Sequence, residues 1–560
     1  MKKYDLPSRG WMILLFYLCI QPIYAASSFP DTTAFINVTV IPMDSLYTLP
    51  DYTVVVGDDR IIAMGPTGTV EIPENTQRVD GQGKYLMPGL ADMHVHTFRS
   101  GYGFDQDMIL FIANGVTTIR HMFGSDAVLE GREQIKAGKL FGPTVYSACP
   151  IIDGNPPAWP GSIVPTSPTN ARQIVKEQKE LGYDFIKVYH NLPKGIYDAI
   201  ISEAKAQDIP VVGHVPWDVG LEYVLTSGQK SIEHFHGHMA YFGSGYPQLP
   251  VWEEIDSIFM NQFIAKTLQS NIWNCPTLTV YKNLITDNEY DQAVLVHPYL
   301  KYVPKELIES WKPGQMNVEY RNYIRELRKN VFFKKLLKAL YESGANILLG
   351  TDCLNPFNVA GFSIHEELHL YVEAGLTPYD AIKAGTYNAA GFLDALDEFG
   401  TVTVGKIADL ILVSENPLDD VQNIQDRAGV MVRGKWYTEA QLQDSLQKVE
   451  NTWNPTDVSV DKFDGKQPSD YSLFQNYPNP FNPMTTIEYR LSRSVHIRLI
   501  IYDLVGRYVK TLVDTRQQSG HFKITWNSLD EHNLPVTAGV YFCRMEAGES
   551  VKVIKLLLIK

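Results

Sequence analysis

Short apolar runs that each close on a polar or ionisable residue recur through the middle of the chain, separated by amphipathic stretches. The runs are 86–96, Val116–Met122, Thr144–Cys149, Phe185–Tyr189, Pro210–Val215, Ser231–His236, Asn271–Val280 and Asn346–Asp352. Between them lie helix-like stretches such as Arg172–Leu181 and Lys194–Gln207. Runs too short for buried helices, alternating with helical periodicity, predict eight strands in an α/β fold, and the length matches a parallel (β/α)8 barrel. On either side the pattern changes to strand-like alternation, in Ala34–Leu86, where Asp58-Asp59 turns the chain, and again in Thr401–Tyr437.

The residues that close the runs carry the candidate chemistry. His94 and His96 are two apart, so in a strand both imidazoles face the same way and can chelate a divalent ion. Alone, such a pair is commonplace at strand ends. Lys187, His214, His234 and Asp352 occupy the same position in four other runs. A parallel barrel collects such residues at the C-terminal ends of its strands, which predicts one site assembled from five of them. Tyr189, Tyr281, His236 and His365 fall near strand ends or in the following loops, where substrate contacts are built. His190, His238 and His297 read as packed or exposed side chains.

Charge and targeting bear on compartment and partners. Lys2, Lys3 and Arg9 precede the apolar stretch Trp11–Ile20 and the small residues Ala25-Ala26, the order of a cleavable secretory signal over residues 1–26. That stretch is too short to span a bilayer comfortably, and no later segment reads as transmembrane. A formal charge of -14 excludes nucleic acid as an expected partner, since a basic stripe is missing. A small-molecule substrate is expected instead, and homo-oligomerisation is left open. The five cysteines show no repeated spacing, so free buried thiols are expected rather than a disulfide framework.

Several motifs resemble the amidohydrolase superfamily from about Phe35 to Tyr437. They are Val79-Asp80-Gly81 through Pro88-Gly89-Leu90 leading into His94-Val95-His96, Gly115-Val116-Thr117-Thr118-Ile119-Arg120, Ser231-Ile232-Glu233-His234, Leu349-Gly350-Thr351-Asp352 and Gly405-Lys406-Ile407-Ala408-Asp409-Leu410. Within the superfamily the chain looks most like the imidazolonepropionase-like and Xaa-Pro dipeptidase-like branch. His121 departs from the pattern, which usually has Asp there.

The resemblance implies two divalent metal ions, with zinc the expected metal. His94 and His96 would hold one ion, His214 and His234 the other. Lys187, carboxylated by carbon dioxide, would bridge both as an anionic carbamate. Asp352 would complete the first ion's ligands and act as catalytic proton shuttle for the hydrolysis of a carbon-nitrogen bond, in a dipeptide or N-acyl amino acid. A mononuclear cyclic-amide hydrolase of imidazolonepropionase type and a non-catalytic surface binding protein remain as alternatives.

The implied division is a small β-sandwich from both ends of the catalytic unit (27–86 and 401–445), a barrel (87–400) and a linker (446–470). Residues 471–560 follow, with strands expected at Thr485–Leu491, Ile497–Asp503 and Phe522–Trp526 in an immunoglobulin-like β-sandwich. Ile501-Tyr502-Asp503-Leu504-Val505-Gly506-Arg507 and Ala538-Gly539-Val540-Tyr541 resemble the C-terminal sorting domain of type IX secretion substrates. That resemblance implies the type IX machinery as a partner and, with the export signal, secretion or attachment to the cell surface.

Overall fold

The computed structural model describes residues 32–97, 103–242, 250–283, 297–311, 331–454 and 471–559, the last span without 477–478, 480, 505–506, 533 and 549. The expected signal (1–26) and residues 455–470 of the expected linker lie outside the described residues.

Each of the central apolar runs contributes one strand: β6 (Leu90–Val95), β7 (Val116–His121), β8 (Thr144–Ser147), β9 (Ile186–Val188), β10 (Val211–Gly213), β11 (Ser231–Glu233), β12 (Trp273–Cys275) and β13 (Asn346–Ile347). All pairings among them are parallel, in the orders β6-β7-β8 and β13-β12-β11-β10-β9. Parallel bridges between Ala148 and Phe185 and between Val95 and Cys353 link the two groups. Cys149 N donates to Phe185 O at 2.8 Å and Met93 N to Leu349 O at 2.9 Å, so hydrogen-bonded neighbours follow one another around a fold of the TIM-barrel type.

β6, β7, β9, β10 and β11 are buried along their whole length, which is why their sequences are mostly apolar runs and do not alternate. Ala91, Met93, Met122, Ala148, Phe185, Val212, Cys275 and Leu348 pack in one cluster. A larger cluster takes in the amphipathic helices; Phe332–Glu342, for example, buries Phe332, Phe333, Leu336, Leu337 and Leu340 at helical spacing.

One expected strand is shorter than its run. Asn271–Val280 is strand only over Trp273–Cys275; Thr277 turns through a φ of 49° and Leu278–Asn283 is a helix. The buried Glu367 carboxyl group accepts from Leu278 N and Thr279 N, both at 2.7 Å, and so satisfies two N–H groups at the start of that helix.

The two flanking segments meet in one hydrogen-bonded sheet. Its order is β16 (Lys435–Thr438), β15 (Arg427–Val432), β14 (Leu410–Val413), β5 (Tyr85–Pro88), β1 (Thr32–Val40), β2 (Leu49–Gly57) and β3 (Arg60–Pro66), with β4 (Gln77–Asp80) also on β1. β5 joins the halves, parallel to β1 and antiparallel to β14. Phe35, Val38, Val54, Leu86, Leu410 and Met431 form a separate core for this sheet.

The linker expectation needs correction at its start. Residues 446–453 belong to the helix Glu439–Trp453, which opens with a capping box between Thr438 and Gln441 and buries Leu442, Leu446 and Val449. The stretch after Tyr437 is helix-prone in sequence, and the helix runs past residue 446 to Trp453.

Toward the C-terminus, β17 (Ser472–Leu473), β18 (Thr485–Leu491) and β21 (Gly520–Trp526) form one antiparallel sheet. β20 (Tyr508–Gln517), β19 (Val495–Asp503), β22 (Gly539–Ala547) and β23 (Ser550–Leu558) form another. Their apolar cluster, built on Ile487, Leu499, Ile501, Trp526, Met545 and Leu556, draws only on residues of this segment. Cys149, Cys275, Cys353 and Cys543 are free and buried, as expected.

Candidate active site

Strand ends position the candidate residues, and two of the ends are held in unfavourable backbone. His234 and Asp352 have φ of 59° and 56°, in the left-handed region that costs a non-glycine residue energy and that recurs at functional sites. Before His214, Gly213 has a φ of 132°, and a Cβ there would lie 2.2 Å from the Val188 carbonyl oxygen, so only glycine brings β10 this close to β9.

His94, His96 and Asp352 converge. His96 Nε2 lies 3.0 Å and His94 Nε2 3.5 Å from Asp352 Oδ1, and the two Nε2 atoms are 3.3 Å apart. His234 joins from the other side, its Nδ1 3.6 Å from Asp352 Oδ2 and its ring centroid 4.5 Å from that of His94. Two ring nitrogens and a carboxylate oxygen at these separations match a tetrahedral divalent ion with bonds of about 2.1 Å, whose ligand atoms lie roughly 3.4 Å apart. The donor set therefore fits a metal ion such as zinc.

The far side of the His94 ring is also fixed, as a metal-ligating histidine requires, and the His234 nitrogen that approaches Asp352 has a further partner. His94 Nδ1 lies 2.8 Å from Glu233 Oε2, and His234 Nδ1 is 2.6 Å from Thr277 Oγ1. Glu233 in turn accepts from Arg120 Nη2 at 2.9 and 3.0 Å and from Ser231 Oγ at 2.5 Å. Arg120, Glu233 and His94 are all fully buried.

Lys187 is 1 % exposed. Burial lowers its pKa to about 8, against the opposing pull of Glu233 and Asp352. Burial likewise holds the imidazoles of His94 and His214 well below the usual range and that of His234 at about 4, which leaves ring lone pairs available at neutral pH. Lys187, His96, His214, His234 and Asp352 all line one cavity of about 900 Å³.

Three of the four expected substrate contacts, Tyr189, His236 and Tyr281, line that cavity. Tyr189 stacks on His214 with centroids 4.0 Å apart, and its hydroxyl accepts from Trp159 Nε1 at 2.7 Å. Tyr281, on the helix after β12, donates to the His234 carbonyl at 2.7 Å. His365 is a correction: it lies in the helix Ser363–Ala374, its Nε2 is 3.2 Å from Arg427 Nη1, and it lines a different cavity. Distance from the last strand in sequence hid that it sits on the helix side. His121, the departure from the family pattern, is buried with Nε2 2.7 Å from the Thr97 carbonyl and Nδ1 accepting from Phe123 N at 3.3 Å.

Sequence reasoning passed over Arg120, Glu233, Thr277 and Asp92. Asp92 accepts from Thr351 N at 3.0 Å and Thr351 Oγ1 at 2.6 Å, tying β6 to the segment that carries Asp352. The signal was present in Asp92, Arg120 and Glu233: ionisable residues inside apolar strand runs must find partners when buried.

The sequence pattern of the amidohydrolase family matches residues 85–437. The chain belongs to the amidohydrolase family. Residues 475–560 match the secretion system C-terminal sorting domain, which directs type IX secretion to the cell surface or extracellular space. Among the described residues no helix is long and apolar enough to cross a membrane.

An adenine deaminase of Leuconostoc citreum is 22% identical over 391 residues, 68% of this chain and 56% of the deaminase. The chain thus spans just over half the length of that relative. Among solved structures, a putative prolidase from Bifidobacterium longum aligns with a TM-score of 0.57 at 23% identity, covering 75% of this amidohydrolase and 100% of the prolidase. A Xaa-Pro dipeptidase with bound methionine aligns with a TM-score of 0.56 at 20% identity, covering 73% and 100%.

Proposed function

We propose that this amidohydrolase is a secreted binuclear metal enzyme that hydrolyses an amide or peptide bond in a small substrate, a dipeptide or N-acyl amino acid. The observation that carries the reading is the meeting of imidazoles, a carboxylate and a buried lysine on one cavity wall. In this reading His94, His96 and Asp352 hold one divalent ion and His214 and His234 the other, zinc being the metal that imidazole and carboxylate donors suit. Such ions bring the pKa of a bound water near neutrality and polarise the amide carbonyl.

The chain's own residues do the rest. Lys187, with its ammonium destabilised by burial, is the residue whose neutral amine would add carbon dioxide and release one proton to give a carbamate, an anion that would suit a place beside the ions where an ammonium would not. Asp352 accepts a proton from the attacking water and passes it to the leaving nitrogen. Tyr189, His236 and Tyr281 face the substrate. Residues 32–86 and 401–438 serve as a small β-domain beside the barrel of 87–400, and the N-terminal signal supplies inner-membrane export ahead of the type IX step.

The mononuclear alternative is favoured by one observation: His94, His96 and Asp352 form a compact donor group by themselves. Metal content decides between them, two ions per chain against one. A panel of dipeptides and N-acyl amino acids, read by amine release before and after chelation, tests the activity. Metal-independent turnover, or none across the panel with two ions bound, overturns the reading.

A further inference from the structure

Beyond the inner donor group, a second set of imidazoles gathers at the ends of three consecutive strands. His190 follows β9, His214 follows β10 and His236 follows β11. One ring nitrogen of each lies within 4.8 Å of one ring nitrogen of the other two. Ring centroids are 4.5 Å apart for His214 and His236, 5.5 Å for His190 and His236, and 5.8 Å for His190 and His214. Three imidazoles around one ion at bonds of about 2.1 Å place their centroids roughly 5 Å apart, so the cluster needs little adjustment to converge.

The trio also has a polar deficit. Among the described residues Nδ1 of His190, of His214 and of His236 is buried without a hydrogen-bond partner. A buried polar atom left unsatisfied is destabilising, and each of the three converging residues carries one. Local hydrogen bonds and stacking hold the arrangement: Trp217 N donates to the His190 carbonyl at 2.9 Å, the Trp217 ring packs 4.5 Å from His236, and Tyr189 covers His214.

The chemistry of a fitting ligand follows from what the rings face. No carboxylate belongs to the cluster. Asp153, the acid that acts on His190, is already engaged by the backbone N–H groups of Gly154, Ala158 and Asn191 at 2.8–2.9 Å. An anion would demand protonated rings in a buried setting, whereas a transition-metal ion uses neutral imidazoles as they stand.

The geometry points to a further, outer position for a transition-metal ion, held by His190, His214 and His236 beside the cavity that His214 and His236 line, distinct from the inner pair of positions. It shares His214 with the inner set proposed above. A neutral imidazole has one lone pair, so His214 serves one ion at a time, and the outer position takes over the second ion when the inner one is weakened.

The full chain, stripped with a chelator and equilibrated with zinc alone, tests this by bound-metal count after dialysis. His234→Asn, which weakens the inner second position, is expected to retain two ions; adding His190→Gln should reduce the count to one; adding His190→Cys, which restores a ligand, should return it to two. If His234→Asn does not fold, Lys187→Ala serves the same purpose. One ion in His234→Asn alone, two in the His190→Gln double variant, or no difference between Gln and Cys at 190 overturns the outer site. His190→Gln alone separates this from the proposed function: it keeps two ions where the inner second position exists, and only one where the outer position is the sole home of the second ion.

Discussion

Substituting Glu233 by Ala removes the carboxylate that joins Arg120 to His94, and the structure allows the cost to be worked out. Arg120 would keep Nε on the Met93 carbonyl at 2.6 Å and Nη1 on Ser231 Oγ at 3.1 Å but lose its only described counter-charge, in a fully buried setting. Removing one partner of such a pair costs about 3–5 kcal/mol because the other charge is left uncompensated. Glu233→Gln keeps the shape and loses the charge, so about 2 kcal/mol is expected from weakened charge-assisted hydrogen bonds. The assay is guanidinium unfolding of the catalytic unit, read as a fall in midpoint at unchanged slope. A second reading comes from metal: freed of its Nδ1 partner, His94 loses its fixed tautomer, and affinity for the first ion should fall ten- to a hundredfold. Pairing Glu233→Leu with Arg120→Met should recover much of the stability and none of the affinity. A loss below about 1 kcal/mol in Glu233→Ala, or a double variant with normal metal affinity, would refute the reasoning.

Asp352→Asn keeps a metal-facing oxygen but cannot take a proton, so turnover should fall by about 10²–10⁴ while bound metal changes little, measured by amine release beside metal content. Lys187→Ala should abolish detectable turnover, with partial rescue by a short carboxylic acid; undiminished activity would remove the bridging role. Asp107 is buried and its carboxyl is pushed up to about 8 by burial alone, so the wild type loses stability as pH rises from about 4 to 8; Asp107→Asn should be more stable at pH 7 by up to about 4 kcal/mol and should flatten that slope in pH-dependent melts. Deleting the chain beyond residue 470 should leave rate constants unchanged while ending delivery to the cell surface, because the apolar core of the tail is its own.

The parts of this molecule that could be read in advance are those where one local rule decides the outcome. Short strands in a buried sheet are mostly apolar, so each of the eight inner strands lay within an apolar run, and polar residues toward the run ends marked where the backbone leaves the core. The same rule overran at Asn271–Val280: an apolar run does not say where strand gives way to helix, and the stop came from Glu367, ninety residues away and invisible to any local pattern. Partnerships across strands were hidden for the same reason. Arg120 and Glu233 each break an apolar run, which says that both are buried and must be neutralised, but only the ring of strands says that they neutralise each other and that His94 is their third member. His190 and His236 were harder still. Each is unremarkable beside its own strand, and their meaning depends on three neighbouring strand ends bringing imidazoles to the same small volume. Periodicity assigns residues to faces; it takes strand order to turn several faces into one site, and for that reason residues at strand ends could be named as candidates from the sequence while the approach of His190 to His214 and His236 could not.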